Sequence, residues 1–191
     1  MFRVIEVNPH GLKFSEEAVT QSMIDKNWYT LQNDNEVVDV IVRIFLAGTI
    51  DMGNSEDWQA EYIHTLEQTV KEMKTDKNCI IYVYNPRRKE GFDDDPEELE
   101  YQIKWELAHM ELSNSIYMNI LPDSKSPITL MELGIWSHIK DKLQVVCPKE
   151  FYRYENVRLV CEAYGIQYKN STDEDWKEPE RKINEFIYEM F

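Results

Sequence analysis

The residue with the clearest capacity for chemistry is Glu132, an acid inside the apolar run SPITLMELGIW (126–136) among Leu130, Met131, Leu133, Ile135 and Trp136. Its type and spacing support two readings. Thr129-Leu130-Met131-Glu132 fits a T-x-x-E capping box, in which the glutamate reaches back to an orphan backbone N–H. It also fits a catalytic carboxylate at a helix N-terminus on the rim of a cleft. There the dipole and free N–H groups favour the ionised form and apolar neighbours oppose it. A second stretch, Gly48-Thr49-Ile50-Asp51-Met52-Gly53-Asn54-Ser55, has the G-x-x-x-x-G-x-S skeleton of a phosphate-binding loop. The position that needs lysine holds Asn54, so no side-chain charge would face a nucleotide's terminal phosphates, and glycines easing a tight turn are the simpler reading. Asn85, Arg87 and Arg88 form a compact basic group, suited either to a phosphate or to ordering the acidic run Asp93–Asp95.

These groups need a scaffold, and the chain supplies one by alternation. VVDVIVRIFLAG (37–48), CIIYVYNP (79–86), SIYMNIL (115–121), LQVVCP (143–148) and IQYKN (166–170) read as strands. Between them lie helical patterns. One runs from Glu56 to Met73, with Trp58, Tyr62, Leu66 and Val70 on one face. Another runs from the acidic GFDDDPEELE to Met110, with Leu99, Ile103 and Leu107 in register. A third opens at SPITLMELG, and a fourth, Tyr154–Tyr164, ends at Gly165. The tail 173–191 reads as a closing helix. The expected fold is α/β: a flavodoxin-like, doubly wound parallel sheet of about five strands in the order 2-1-3-4-5. Residues 1–36 precede it as an extension packed on the domain of 37–191, bringing an added strand or hairpin and a short helix. In such a sheet ligands sit outside the carboxyl ends of the strands where the order reverses. That point lies between GTIDMGNS and PDSKSPIT, and Glu132 follows directly.

Composition narrows the classes. The 191 residues suit one domain, and 42% apolar with 12% aromatic residues describes a globular core. The charge is 21 basic minus 36 acidic, or −15, which repels a nucleic-acid polymer overall. Cys79, Cys147 and Cys161 are odd in number and far apart, so reduced, buried thiols in a cytoplasmic setting are expected. The four histidines form no metal-binding pattern, and no stretch of about 18 apolar residues suggests a membrane span.

FLAGTIDMG after the first strand, QIKWE in the second helix and SPITLMELG opening the third carry a resemblance. Over about residues 42–148 the chain resembles the nucleoside 2-deoxyribosyltransferases and their nucleotide-hydrolase relatives. The resemblance implies cleavage or transfer of the N-glycosidic bond of a (deoxy)nucleoside or nucleotide, without metal or organic cofactor, in a homo-oligomer. Glu132 falls on the family's nucleophile, and Glu106 falls near a family acid. Gly48 and Thr49 fall on the first-loop glycine and the residue after it, and Ser126 and Thr129 on small hydroxyl positions. Asp51 stands where relatives acting on 5′-monophosphates carry a basic residue, which tilts the expectation toward an uncharged nucleoside or a contact to the base.

The chemistry asks for more. Breaking a C1′–N bond through an oxocarbenium-like transition state needs a carboxylate on the opposite ring face and a second acid for the departing base. Glu106 and Asp51 are the candidates; a solvated helical acid and a turn residue are their alternatives. Trp58 and Trp105 offer rings to a base or to the core. Asn85, Asn119, Ser124, Ser126 and Thr129 complete the expected contacts to substrate, with helix capping as the other role for the hydroxyls. A non-catalytic nucleoside- or nucleotide-binding module on the same fold remains the alternative function.

Overall fold

The computed structural model describes residues 2–9, 38–51, 55–88, 95–139 and 141–170. The strands are β1 (Phe2–Val7), β2 (Val40–Gly48), β3 (Cys79–Tyr84), β4 (Ser115–Asn119), β5 (Leu143–Val146) and β6 (Gln167–Lys169). The helices are α1 (Trp58–Glu72), α2 (Pro96–Leu112), α3 (Pro127–Trp136) and α4 (Tyr154–Tyr164). All strand pairs are parallel, in the order β1-β3-β2-β4-β5-β6. Counted from β2, this is the expected 2-1-3-4-5. The additional strand β1 extends the β3 edge, in register from Phe2 opposite Cys79 to Val7 opposite Tyr84. The remaining expectations for 10–36 and for the tail helix lie outside the described residues.

A parallel sheet covered on both faces needs strands that are apolar on both sides, and β3 is buried at all six positions. On one face, Trp58, Tyr62, Leu66 and Val70 of α1 pack against Val40, Val42, Ile44 and Leu46. On the other, α2, α3 and α4 contribute Trp105, Leu133, Trp136 and Val157 against Phe45, Tyr82 and Met118. The three cysteines are buried and free. Burial pushes the Cys147 and Cys161 thiols up to about 12, far from thiolate reactivity.

Two details depart from the sequence pattern. Leu99, Ile103 and Leu107 of α2 do share a face, but it points outward. The inward face carries Glu98, Gln102, Trp105, His109 and Met110. Glu98 and Gln102 are turned in as partners of Arg88, in the loop after β3, while His109 packs on Trp105 and Tyr84. The glycine of the first loop serves a close approach of two strands. Gly48 has φ +138°, and a Cβ on it would overlap the Asn119 carbonyl oxygen. That carbonyl accepts the Thr49 N–H at 2.9 Å, which draws β2 and β4 together at the switch point.

Candidate active site

Glu132 is placed by the connection from β4 into α3. Pro127, with its fixed φ and missing N–H, takes the first helical position, so the N-cap is Ser126. Ser126 is left-handed, at φ +43°, and its side chain makes no cap bond. The T-x-x-E capping box is thereby overturned: Thr129 is the third helical residue and Glu132 the sixth, well inside the helix. Beyond the first turn the backbone N–H groups are already bonded and the dipole's help has decayed. Glu132 is only 6% exposed, on the buried face of α3 with Thr129, Leu133 and Trp136. No described residue hydrogen-bonds its carboxyl. Burial, followed by the charge of Glu106, pushes it up to about 8. Of the two influences expected on this carboxyl, burial among apolar neighbours outweighs the helix terminus and favours the protonated form.

Glu106 comes from α2 and is the carboxylate whose charge acts on Glu132. Burial raises it too, opposed by a hydrogen bond from Gln102 and by the charge of Arg88. The Gln102 amide Nε2 donates to Glu106 Oε1 at 2.6 Å and to the Pro86 carbonyl at 3.0 Å. Its Oε1 accepts from Arg88 Nε at 2.7 Å. Arg88 is itself clamped to Glu98, with Nη1 on the carboxylate at 3.0 Å and Nη2 on the backbone carbonyl at 2.9 Å. Burial thus raises both groups, and the charge of Glu106 further opposes ionisation of Glu132.

The other expected site residues are held in different ways. Thr49, Ser124 and Ser126 meet in a triangle, at 3.0 Å, 2.6 Å and 2.8 Å between oxygens. Ser124 also donates to the Leu121 carbonyl, and the Leu121 N–H donates to Thr49. These hydroxyls knit the loop after β2 to the loop after β4. Asp51 is exposed within the first loop, at φ +45°, and does not act on Glu132. Trp58 donates its Nε1–H to the Thr49 carbonyl at 2.9 Å and packs on Tyr117. Trp105 lies in the opposite core against Phe45 and Tyr84, stacked on His109. Asn85 is buried, donating to Glu6 and accepting the Arg87 N–H. Asn119 is half-buried at the end of β4. Arg87 reaches Ser55, Glu56 and Gln59, with Asp57 at 3.4 Å, and so braces the start of α1. The two arginines thus grip separate helices; Asp93 and Asp94 lie outside the described residues, and Asp95 caps α2 through the Glu97 N–H.

Sequence reasoning missed Gln102 and Glu98. The signal was present: Gln102 precedes Glu106 by four residues, one helical turn, and so shares its face.

A sequence profile described as nucleoside 2-deoxyribosyltransferase like matches residues 41–151. That span is more than half of the chain and contains both carboxylates, both loops and the Arg88 network. The chain belongs to the nucleoside 2-deoxyribosyltransferase-like family. Membership agrees with the segments that carried the resemblance and with the parallel sheet and its switch point. Among curated proteins no sequence matches closely enough to count as a relative. For this family a nucleoside is the fitting class of small-molecule partner, and no described helix is long and apolar enough to cross a membrane.

Proposed function

We propose that the chain cleaves or transfers the N-glycosidic bond of a (deoxy)nucleoside or nucleotide, with Glu132 as nucleophile and Glu106 as the acid. The observation that carries this reading is the pair itself: two carboxyl groups, both raised by burial and coupled in charge, beside the switch point of the sheet. In the reactive arrangement Glu106 carries a proton and Glu132 the charge. Glu132 attacks C1′ of the sugar, the C1′–N electron pair leaves with the base, and Glu106 supplies the proton that the base nitrogen takes up. A glycosyl ester on Glu132 results. Water or a second base then attacks C1′, the ester bond breaks, and Glu106 recovers a proton from the incoming group. Asp51, at the exposed mouth, is suited to a contact with the base and unsuited to phosphate. We assign Thr49, Ser124, Ser126 and Thr129, with Gly48 and Asn119, to the walls of the sugar end. The same reading carries a homo-oligomer, to be checked by light scattering, and a cytoplasmic setting.

The test is chromatography for released or exchanged base. The protein and Glu132→Ala are incubated with deoxynucleosides and their monophosphates, with and without an acceptor base. Base release or exchange that vanishes in the variant is expected. Exchange only with an acceptor marks a transferase, and release without one a hydrolase. No turnover across the panel by the folded wild-type protein would instead support the non-catalytic binding module. The burial of Glu132, which opposes the ionised form a nucleophile needs, is the observation that favours that second reading.

A further inference from the structure

The site contains a polar chain that the proposed chemistry does not itself require. Arg88 Nε, Gln102 and Glu106 are linked by hydrogen bonds of 2.7 Å and 2.6 Å. The chain runs one way only. A guanidinium has hydrogens to give and no acceptor, so the oxygen of the Gln102 amide must face Arg88. Its nitrogen must then face Glu106 and the Pro86 carbonyl, and both N–H groups are used. Flipping the amide would set its nitrogen against the guanidinium and its oxygen against two acceptors. Arg88 is held in turn by Glu98, in an ion pair whose side chains are 9% and 11% exposed. Glu106 Oε1 is therefore the permanent acceptor of a fixed donor.

We propose that Gln102, oriented by the Arg88–Glu98 pair, is a positioning residue for Glu106: it fixes the rotamer of the carboxyl and reserves Oε2 as the oxygen that exchanges a proton with the leaving base. The inference deepens the reading above and rests on it for the identity of that base. Glu106 is acted on by Arg88 from the loop after β3 and by Gln102 from its own helix, and its own charge acts on Glu132 of α3. Both Gln102 and Arg88 favour its charged form. Loss of the Gln102 donor thus makes the pair harder to ionise, and the acid limb of the pH–rate profile moves to higher pH.

The experiment compares wild type with Gln102→Met, which keeps length and shape without the donor, and with Arg88→Lys, which keeps a charge but not the fork. Folding is checked by circular dichroism. Glutamate side chains labelled with ¹³C are titrated by NMR, with Glu106→Gln and Glu132→Gln assigning the two resonances. Expected for Gln102→Met are a kcat lower by about 100-fold, the order of loss for a misplaced catalytic group, an acid limb moved upward, and a Glu106 midpoint moved upward. Arg88→Lys is expected to lie between it and wild type, and it decides the matter if Gln102→Met does not fold. A Glu106 midpoint and an acid limb both unmoved in a folded variant would overturn the proposal, even if kcat fell. If no protein turns over, the proposed function fails by itself. The NMR titration then still judges the arm: a Glu106 midpoint moved upward keeps it, and an unmoved one removes it.

Discussion

A buried carboxyl leaves its mark on stability. Glu132 is held near 8, against an ordinary value of 4.5. The fold thus favours its protonated form, and the contribution is fully present below the unfolded-state value. As pH rises from about 4.5 through 8, ionisation of the buried group withdraws it, a loss on the order of several kcal/mol. Glu132→Gln keeps the shape and cannot ionise. It should be inactive yet more stable than wild type at pH 8–9, and its stability should vary less with pH between 5 and 9 in urea denaturation. Equal pH slopes would mean that Glu132 is not held neutral. Gly48 is the second residue whose effect is settled locally. Gly48→Ala would drive a Cβ into the Asn119 backbone at a φ that L-residues rarely adopt. The expected result is loss of several kcal/mol of stability, read as a lower thermal midpoint or as insoluble protein.

At the level of elements, the sequence carried the strands and helices well, because their apolar periods are strong. β2 to β6 and α1 to α4 fall within a few residues of the segments read from the pattern. What it carried poorly were the junctions. Pro127 at the first helical position moved the cap of α3 three residues back from Thr129, and a left-handed Ser126 has no signature in residue type alone. The outward stripe of α2 misled for the opposite reason. Periodicity showed that Leu99, Ile103 and Leu107 share a face, but burial of the Arg88 partners decided which face turns in. The hydroxyl triangle was legible as a set of residues converging on one cleft and not as a mutual bond network. Because it joins the two loops that frame the site, Thr49→Val tests it with little change of shape. The variant removes a partner from Ser124 and Ser126 and leaves the Leu121 N–H unsatisfied. A loss of about 1–3 kcal/mol in urea denaturation is expected. A neutral effect would show that the triangle contributes nothing to holding the loops together.

For the molecule as a whole, charge sets what can approach the cleft. The chain carries a formal −15, and both arginines beside the site are engaged, Arg87 by Asp57 and Arg88 by Glu98. Asp51 adds an exposed negative group in the loop after β2. A neutral nucleoside meets no long-range barrier from this field, whereas a 5′-monophosphate does. The barrier is screened as the Debye length falls from about 30 Å at 0.01 M salt to about 8 Å at 0.15 M. The kcat/KM for a deoxynucleoside 5′-monophosphate should therefore rise with salt over that range, while that for the matching deoxynucleoside stays nearly level. Asp51→Asn should flatten the monophosphate's dependence in part and leave the neutral substrate's unchanged. The comparison separates long-range repulsion from a specific phosphate contact. Kinetics that weaken with salt for the monophosphate alone would mean that a cationic group in the cleft captures the phosphate, and the preference for an uncharged nucleoside would have to be given up.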